Sequence, residues 1–313
     1  MNNGSRHAVE VVGLTKRYGQ LVAVDHVSFE VKESEIFGFL GPNGAGKTTT
    51  VRMLTGVTRP DGGEARIRGY RAGSLRAKQV VGVVPEMSNA YGDLSGWDNL
   101  MLMAALYGVD GRKAHERATR LLQKVGLDQR RKDSVKTYSR GMKQRLILAM
   151  AMMGDPDILF LDEPTSGLDV QSARLIKTFI KELNTAGKTI FLTTHDMDEA
   201  NQLCHRVAII NKGKLVAIDP PEKLRMAVSR RHSLEVSFDK DVPSEFLAAL
   251  EGVEAVERLG DKYRLPTARP GELVVSLADR VCSLGVRIVS LSILAPSLED
   301  AFVALTETEA ERW

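Results

Sequence analysis

Within the first forty residues, two stretches roughly alternate apolar and polar positions and a third is apolar throughout. The alternation in Val9–Val12 and Val27–Val31, on either side of a turn at Tyr18 and Gly19, predicts two half-buried strands. The run Ile36–Leu40 is apolar throughout and ends at a glycine-rich loop. Such a run is typical of a strand buried on both faces of a mostly parallel sheet.

Helical spacing of apolar residues begins at Ser95 and lasts to Leu127. It predicts a helical insert, which we place at about residues 95–140. Beyond the insert, Ile158–Leu161 and Ile190–Thr193 are apolar strands that each follow a helical segment. This alternation of strands and helices predicts an α/β fold.

A hairpin and a proline pair close this first region. Ala208–Asn211 and Leu215–Ile218 are predicted strands, and Pro220–Pro221 ends the second of them. The hydrophobic pattern restarts soon afterwards. We therefore predict two domains, residues 1–227 and residues 228–313.

The second domain is expected to hold strand, helix, two strands, helix, strand and one further helix. This is the split β-α-β order of a ferredoxin-like fold, so we predict a small α+β domain. The predicted elements are Leu234–Phe238, Pro243–Leu250, Val253–Leu259, Lys262–Pro266, Gly271–Leu284, Val286–Ile293 and Ser297–Thr306.

Composition and charge exclude some classes of protein. The 313 residues are 43% hydrophobic and 27% charged, as in soluble globular proteins, and the net charge of +3 does not suggest a nucleic-acid partner. Cys204 and Cys282 lack metal-ligand spacing, which favours a reduced, cytosolic chain. The apolar stretch Leu146–Gly154 is shorter than the ~18 residues that cross a bilayer, and Met1–Glu10 lacks the core of a signal peptide. We expect no direct membrane insertion.

The loop after Ile36–Leu40 fits the phosphate-binding pattern G-x-x-x-x-G-K-[ST] between a strand and a helix. Glycines let successive N–H groups point at phosphate oxygens, and the helix presents its positive end to the same anion. We expect Lys47 to reach the β and γ phosphates of ATP and Thr48 to ligate Mg²⁺. The alternative is a tight glycine turn without a ligand. The predicted nucleotide contacts of this loop are Gly41, Asn43, Gly44, Ala45, Gly46, Lys47, Thr48 and Thr49.

Two carboxylates follow the apolar strand Ile158–Leu161. Neighbouring residues of a strand point to opposite sides, so Asp162 is placed to face the metal and Glu163 to polarise the attacking water. A solvated strand end would explain the pair if it stood alone. The upstream phosphate loop favours a catalytic pair.

The stretch Tyr138–Arg145, with Ser139 and Gly141, resembles the signature of ATP-binding-cassette proteins, usually written L-S-G-G-Q. Arg140 and Met142 depart from that pattern. Without the resemblance, Ser139 would be read as a helix N-cap. The resemblance implies that this helix start faces the γ phosphate bound by the opposite subunit, in a dimer that encloses two ATP molecules.

The other elements of the family's set occur in the same order. Tyr18 stands at the position of the adenine-stacking aromatic residue, and Glu86 replaces the loop glutamine near the metal. The segment 166–169, ending at Asp169, looks like the D-loop, and His195 matches the switch histidine on the γ phosphate. The resemblance covers residues 8–220. It implies a P-loop NTPase core with an antiparallel β subdomain and a helical subdomain, catalysing ATP hydrolysis with Glu163, His195 and Lys47.

The resemblance also implies partners. A transport subunit would work at the cytoplasmic face of the cell membrane, bound peripherally to a separate permease and paired with a second cassette, identical or different. The alternatives are a soluble cassette protein of the ribosome, which resembles two fused cassettes, and a DNA ATPase, which needs a long coiled coil. A single phosphate loop and the short span from Lys47 to Ser139 favour transport. The tail 295–302 looks like that of drug-resistance and nodulation-factor exporters, which favours export.

Overall fold

The computed structural model describes residues 7–87, 90–227, 232–294 and 297–310. Its contacts divide the chain into two units between Pro220 and Pro221. This division lies ahead of the boundary expected near residue 228. The reason is that the helix Pro221–Ala227 contacts the last helix, Leu298–Ala310, and so belongs to the second unit.

The first unit contains an antiparallel sheet, a larger mixed sheet and a set of helices. The antiparallel sheet has the order β2-β1-β4-β5, and the larger sheet has the order β10-β9-β3-β8-β7-β6. The strands are β1 His7–Tyr18, β2 Leu21–Lys32, β3 Ile36–Leu40, β4 Gly62–Ile67, β5 Tyr70–Arg71, β6 Val81–Val84, β7 Ile158–Asp162, β8 Thr189–Thr194, β9 Arg206–Asn211 and β10 Lys214–Asp219. The helices are α1 Lys47–Leu54, α2 Leu75–Gln79, α3 Gly96–Leu106, α4 Gly111–Lys124, α5 Arg140–Ala151, α6 Val170–Thr185 and α7 Met197–Leu203.

The larger sheet is parallel from β6 through β9, and β10 joins it as an antiparallel hairpin strand. Every residue of β3, β7 and β8 is buried, which explains why their sequences are apolar without alternation. Because parallel strands end at the same edge, the segments that follow β3, β7 and β8 lie side by side. This edge carries most of the predicted chemistry.

Aromatic rings join the two sheets. The ring centroid of Phe29, on β2, lies 5.6 Å from that of Phe37 and 5.5 Å from that of Phe39, both on β3. Phe191 of β8 packs on all three, at 5.9, 5.7 and 5.5 Å, and on Phe160 of β7 at 5.3 Å. The antiparallel sheet is therefore fixed to the core sheet by a continuous aromatic cluster.

The helices α3, α4 and α5 contact one another and form the helical subdomain. Helix α4 is amphipathic: Ala114, Ala118, Leu121 and Leu122 are buried at helical spacing while its other face carries charged residues. Within the described residues, no helix is both long and apolar enough to span a membrane.

The second unit has a four-stranded antiparallel sheet of order β12-β13-β11-β14. Numbered from the start of the unit, the strands lie in the order 2-3-1-4, which confirms the predicted ferredoxin-like arrangement. The predicted strand Val253–Leu259 is shorter than expected, because Val253 N–H bonds to Leu250 O in a turn instead of a ladder. The elements are α8 Pro221–Ala227, β11 His232–Phe238, α9 Ser244–Ala248, β12 Glu257–Leu259, β13 Lys262–Thr267, α10 Pro270–Ser283, β14 Ile288–Leu294 and α11 Leu298–Ala310.

Candidate active site

The phosphate loop connects β3 to α1 and is shaped by glycines. Gly46, the residue before α1, has φ 105°, and a Cβ atom there would lie 2.4 Å from the carbonyl oxygen of Ala23 on β2. Only glycine fits this close approach. No side chain caps α1. The N–H groups of its first turn are therefore available to an anion.

The other helices of the first unit begin differently. Each has a side chain that accepts a hydrogen bond from its first turn, and these residues are Ser74, Ser95, Asp110, Ser139, Asp169 and Asp196. The contrast with α1 supports the anion-binding interpretation of the loop over a tight turn without a ligand.

Lys47 is buried at the bottom of the loop. Its Nζ donates hydrogen bonds to the carbonyl oxygens of Gly41, at 2.7 Å, and Pro42, at 3.2 Å. Nζ also lies 3.2 Å from Oε1 of Glu163, and both side chains are less than a tenth exposed. The ammonium charge is thus fixed where a phosphate group on the uncapped end of α1 would meet it.

Thr48 and Asp162 are brought together as the sequence analysis expected. Thr48 Oγ1 donates to Asp162 Oδ1 at 3.2 Å, and Thr193 Oγ1 donates to the same oxygen at 2.6 Å. A hydroxyl and a carboxylate at this spacing are oxygen donors of the kind Mg²⁺ prefers. Thr193 was not singled out from the sequence. It holds Asp162 in place because β7 and β8 pair at this point.

Glu163 lies one residue beyond the end of β7, with a φ of 51°. The expected alternation of strand side chains therefore does not set its direction; the left-handed turn does. Its N–H donates to Thr193 O at 3.1 Å, which holds the turn against β8. Oε2 lies 2.8 Å from His195 Nδ1, and Oε1 accepts no hydrogen bond within the described part of the chain. One carboxylate oxygen is thus held by His195 and Lys47 pairs with the other, in a position from which the group can accept a proton from a water molecule.

Of these groups, the phosphate loop and Glu163 line one cleft at the edge of the core sheet, and Asp162 and His195 are joined to it by hydrogen bonds to Thr48 and Glu163. Tyr18 and Glu86, which are exposed, line it together with the phosphate loop and Glu163. Lys212, at the turn of the β9–β10 hairpin, also lines it and was not predicted. The lining residues are Tyr18, Leu21, Val22, Ala23, Asn43, Gly44, Gly46, Lys47, Thr48, Thr49, Glu86, Glu163 and Lys212.

The helix start at Ser139 forms a second cluster. Ser139 Oγ accepts from Met142 N–H at 3.2 Å, so it caps α5. A Cβ atom at Gly141 would lie 2.1 Å from Ser172 Oγ, because α5 approaches α6 closely here. Asp169 caps α6 by accepting from Ser172 N–H at 2.8 Å. This backbone hydrogen bond holds the pKa of Asp169 below its usual value.

Arg140, which departs from the family's glycine, has a structural role. Its Nη2 donates to the carbonyl oxygen of Ser166 at 2.9 Å, which fixes the segment before α6 against the start of α5. Ser139, Gly141 and Asp169 are absent from the lining of the cleft in the part of the chain that the structure describes. One chain therefore brings together the phosphate loop, Asp162, Glu163 and His195, but places the signature elsewhere.

A buried carboxyl group lies near the segment that follows Glu163. Glu199 of α7 is almost fully buried, and its Oε1 accepts from Thr165 Oγ1 at 2.6 Å. Burial raises the pKa of Glu199. The contact ties the segment that follows Glu163 to the helix that follows His195. Nothing in the sequence pattern pointed to Glu199.

The chain resembles known proteins in sequence along almost its whole length. The sequence profile of the family described as ABC transporter matches residues 24–166. The linearmycin resistance ATP-binding protein LnrL of Bacillus subtilis is 34% identical over 95% of this chain and 98% of its own length. This chain belongs to the ABC transporter family.

Two further relatives of the same family match at similar extent. A Nod factor export ATP-binding protein I of Ralstonia nicotianae is 37% identical over 98% of this chain and 96% of its own length. The daunorubicin/doxorubicin resistance ATP-binding protein DrrA of Streptomyces peucetius is 36% identical over 99% of this chain and 96% of its own length. The predicted family resemblance is thereby confirmed.

Solved structures agree with the fold. An ATP-binding subunit of an ABC transporter superposes with a TM-score of 0.65 at 28% identity, covering 70% of this chain and 92% of that one. A dimeric ATP-binding cassette in a post-hydrolysis state, bound to ADP and Pi, gives a TM-score of 0.62 at 25% identity, covering 68% of this chain and 98% of that one. The predicted P-loop NTPase core is confirmed, and the chain is an ATPase of this ABC family.

Proposed function

We propose that two cassettes, each supplied by a chain like this one, enclose ATP between the cleft of one and the α5 start of the other, and that the cycle drives a separate membrane permease. The observation that carries the proposal is the separation of the two clusters. The cleft holds a phosphate loop and a base, whereas Ser139 and Gly141 lie outside its lining in the described structure. A second cassette would supply the missing contacts.

In this proposal Lys47 and the uncapped end of α1 bind the β and γ phosphates, and Tyr18 stacks on adenine. Glu163 accepts the proton of the attacking water, and His195, at 2.8 Å, orients Glu163 and reaches the γ phosphate. Thr48 and Asp162 would hold Mg²⁺, which neutralises phosphate charge when bound. Glu86 would add a charged oxygen near the metal, in place of the family's neutral amide.

The permease would contact the helical subdomain. Large apolar side chains are exposed around it: Met87 is 79% exposed, Tyr91 55% and Leu106 68%. Exposed apolar groups in one region indicate a surface for a protein partner. Asn89 lies in the same stretch of sequence as Met87 and Tyr91 and is a further candidate for this surface, but it lies outside the described residues. Such a chain would be held peripherally at the cytoplasmic face of the cell membrane.

Export is the direction that the relatives favour. Their names record resistance to linearmycin and to daunorubicin and doxorubicin, and Nod factor export. By this similarity we infer that the partner permease is an exporter. The second unit, with its separate core, would regulate or stabilise the cassette dimer.

The Glu163→Gln variant tests the proposal directly. The amide cannot accept the proton, so hydrolysis should fall at least ~100-fold while ATP binding survives. ATP with Mg²⁺ should then hold the protein as a dimer in size-exclusion chromatography. Glu182→Gln is a matched control, because Glu182 is exposed on α6 and pairs with Lys124.

Two results would contradict the assignment. Hydrolysis by the Glu163→Gln protein at the wild-type rate would show that another group is the base. A strictly monomeric ATP-bound variant would show that the helix start at Ser139 does not complete the site from a second chain. The permease is tested separately by photocrosslinking from position 91 in native membranes, where crosslinks confined to this chain would reject the proposed docking surface.

A further inference from the structure

The turn between β9 and β10 has an unusual residue at its tip. Asn211 pairs with Lys214, so the loop consists of the two residues Lys212 and Gly213, with φ 47° and 79°. Two-residue hairpin loops with positive φ at both positions favour Asn, Asp or Gly at the first position. A lysine carries a steric cost there, since its Cβ crowds the backbone in the left-handed region. Sparsely populated conformations of this kind occur preferentially at functional sites.

Backbone contacts fix this turn against the phosphate loop. Gly213 N–H donates to the carbonyl oxygen of Ala45 at 3.0 Å, and Gly213 O accepts from Asp25 N–H at 2.9 Å. A Cβ atom at Gly213 would lie 2.9 Å from Ala23 O, so the approach to β2 is also close. The turn is thus clamped between the loop and the strand that form two walls of the cleft.

Lys212 is an exposed cation among the described residues that line this cleft. It lines the cleft together with Lys47, Thr48 and Thr49. No carboxylate or other acceptor pairs with Lys212 among the residues the structure describes, in contrast to Lys214, whose Nζ lies 4.0 Å from Asp25. Lys47 is already held by two carbonyl oxygens and Glu163. A compact ammonium charge without a protein partner, at the rim of a phosphate-binding cleft, suits an anionic ligand.

We propose that Lys212 binds the phosphate chain of the nucleotide and is a second cationic contact of the site, in addition to Lys47. The inference rests on the proposed assignment of the cleft as the nucleotide site. It accounts for two observations. The left-handed conformation of Lys212 places its amine at the cleft, and the hydrogen bond from Gly213 N–H to Ala45 O connects the hairpin turn to the phosphate loop. On this interpretation, lysine at the tip of the hairpin lowers the stability of the fold and raises the affinity for the nucleotide.

The test compares Lys212→Asn with Lys212→Arg and Lys214→Ala in the full-length chain. Calorimetric titration with ATP, ADP and adenosine gives the dissociation constants at one salt concentration. Lys212→Asn should weaken ATP and ADP about fivefold, the range of one partly exposed charge contact, and leave adenosine unchanged. Lys212→Arg should restore most of the affinity. Lys214→Ala removes the same charge from the same hairpin and should change the ATP affinity less than twofold.

The melting temperature without nucleotide gives an independent measurement. Asparagine tolerates the left-handed conformation better, so Lys212→Asn should melt at least as high as the wild type although it binds ATP more weakly. Unchanged ATP affinity, or equal losses for Lys212→Asn and Lys214→Ala, would overturn the inference. Lys47→Ala separates the two proposals. If this variant still binds ATP, the cleft is not the nucleotide site. If it loses ATP binding while Lys212→Asn keeps the wild-type ATP affinity, only the proposed role of Lys212 is rejected.

Discussion

The starts of α1 and α5 differ in whether a side chain accepts hydrogen bonds from the N–H groups of the first turn. Both helices begin after a short loop and both are proposed to face phosphate. At α1 the N-cap is Gly46, in the left-handed region, and no side chain satisfies the first turn. At α5 the N-cap is Ser139, in the extended region, and its hydroxyl accepts from Met142 N–H. The first helix start has no side-chain acceptor for its N–H groups, whereas the second has one within its own chain.

This difference between the two helix starts suggests a different role for each in the proposed cycle of ATP binding and hydrolysis. In the proposed site, the loop before α1 contacts phosphate through backbone N–H groups and the Lys47 ammonium group, so the geometry of its backbone must be maintained by neighbours such as Ala23. The end of α5 keeps its shape without nucleotide and can present Ser139 to a partner as a preformed surface. Glycine is required near both ends for steric reasons: Gly46 meets β2, and Gly141 meets Ser172 of α6.

The largest effect is expected from Gly46→Ala. The new Cβ would lie 2.4 Å from Ala23 O at a residue with φ 105°, so the phosphate loop must open. ATP affinity should fall more than ~100-fold, since a displacement of the loop removes several phosphate contacts together. Equilibrium titration with ATP measures this loss.

Gly13→Ala is the matched control, because Gly13 also has a positive φ, of 60°, but nothing lies within 4 Å of its Cβ position. That variant should lose about 1 kcal/mol of stability and keep its ATP affinity. Wild-type affinity in Gly46→Ala would mean that the α1 end does not depend on the contact with β2.

An intermediate effect is expected from Gly141→Ala, which wedges α5 away from α6. The cleft should still bind ATP, but dimer formation and turnover should fall roughly 10- to 100-fold as the helix start shifts relative to Asp169. The double variant Gly141→Ala with Ser172→Gly removes the clashing side chain and should recover part of the activity. If the ATP affinity of the monomer fell instead, the two helix starts would not be independent.

The smallest effect separates capping from ligand binding at Ser139. Ser139→Ala should cost about 1 kcal/mol of unfolding free energy and Ser139→Gly only a few tenths, because glycine tolerates an N-cap position. Both variants remove the hydroxyl, so both should lower turnover by a similar factor, roughly three- to tenfold, if that hydroxyl contacts the partner's nucleotide. Urea denaturation measures the stability of both variants. If turnover falls only in proportion to the loss of stability, Ser139 acts as a helix cap and not as a ligand contact.

The sequence predicted those parts of the fold and site that depend on local patterns. Ile36–Leu40 matches β3 because a fully buried strand has an unambiguous apolar run, and the phosphate loop follows from its spacing. Strand β4 was missed because it begins with two glycines and leaves only alternate residues buried. Its place in the sheet comes from pairing with β1, which is distant in sequence.

Within the site, the missed residues act through such distant contacts. Thr193 bonds to Asp162 because β7 and β8 are neighbours, and Lys212 reaches the cleft because β9 pairs with β3. Glu199 contacts Thr165 across two loops. None of these relationships has a sequence period or a spacing. They become visible only when the strand order is known.

The aromatic cluster between the sheets has a mechanical consequence. Tyr18 ends β1 and Ala23 lies on β2, whereas Lys47 and Thr48 follow β3, so both sheets contribute residues to the lining of the cleft. The stacking of Phe29 on Phe37, at an interplanar angle of 12°, belongs to an interior packed too densely to slide. We therefore expect the two sheets to keep a fixed position relative to each other. A conformational change driven by ATP should then involve elements outside the two sheets, such as the helical subdomain.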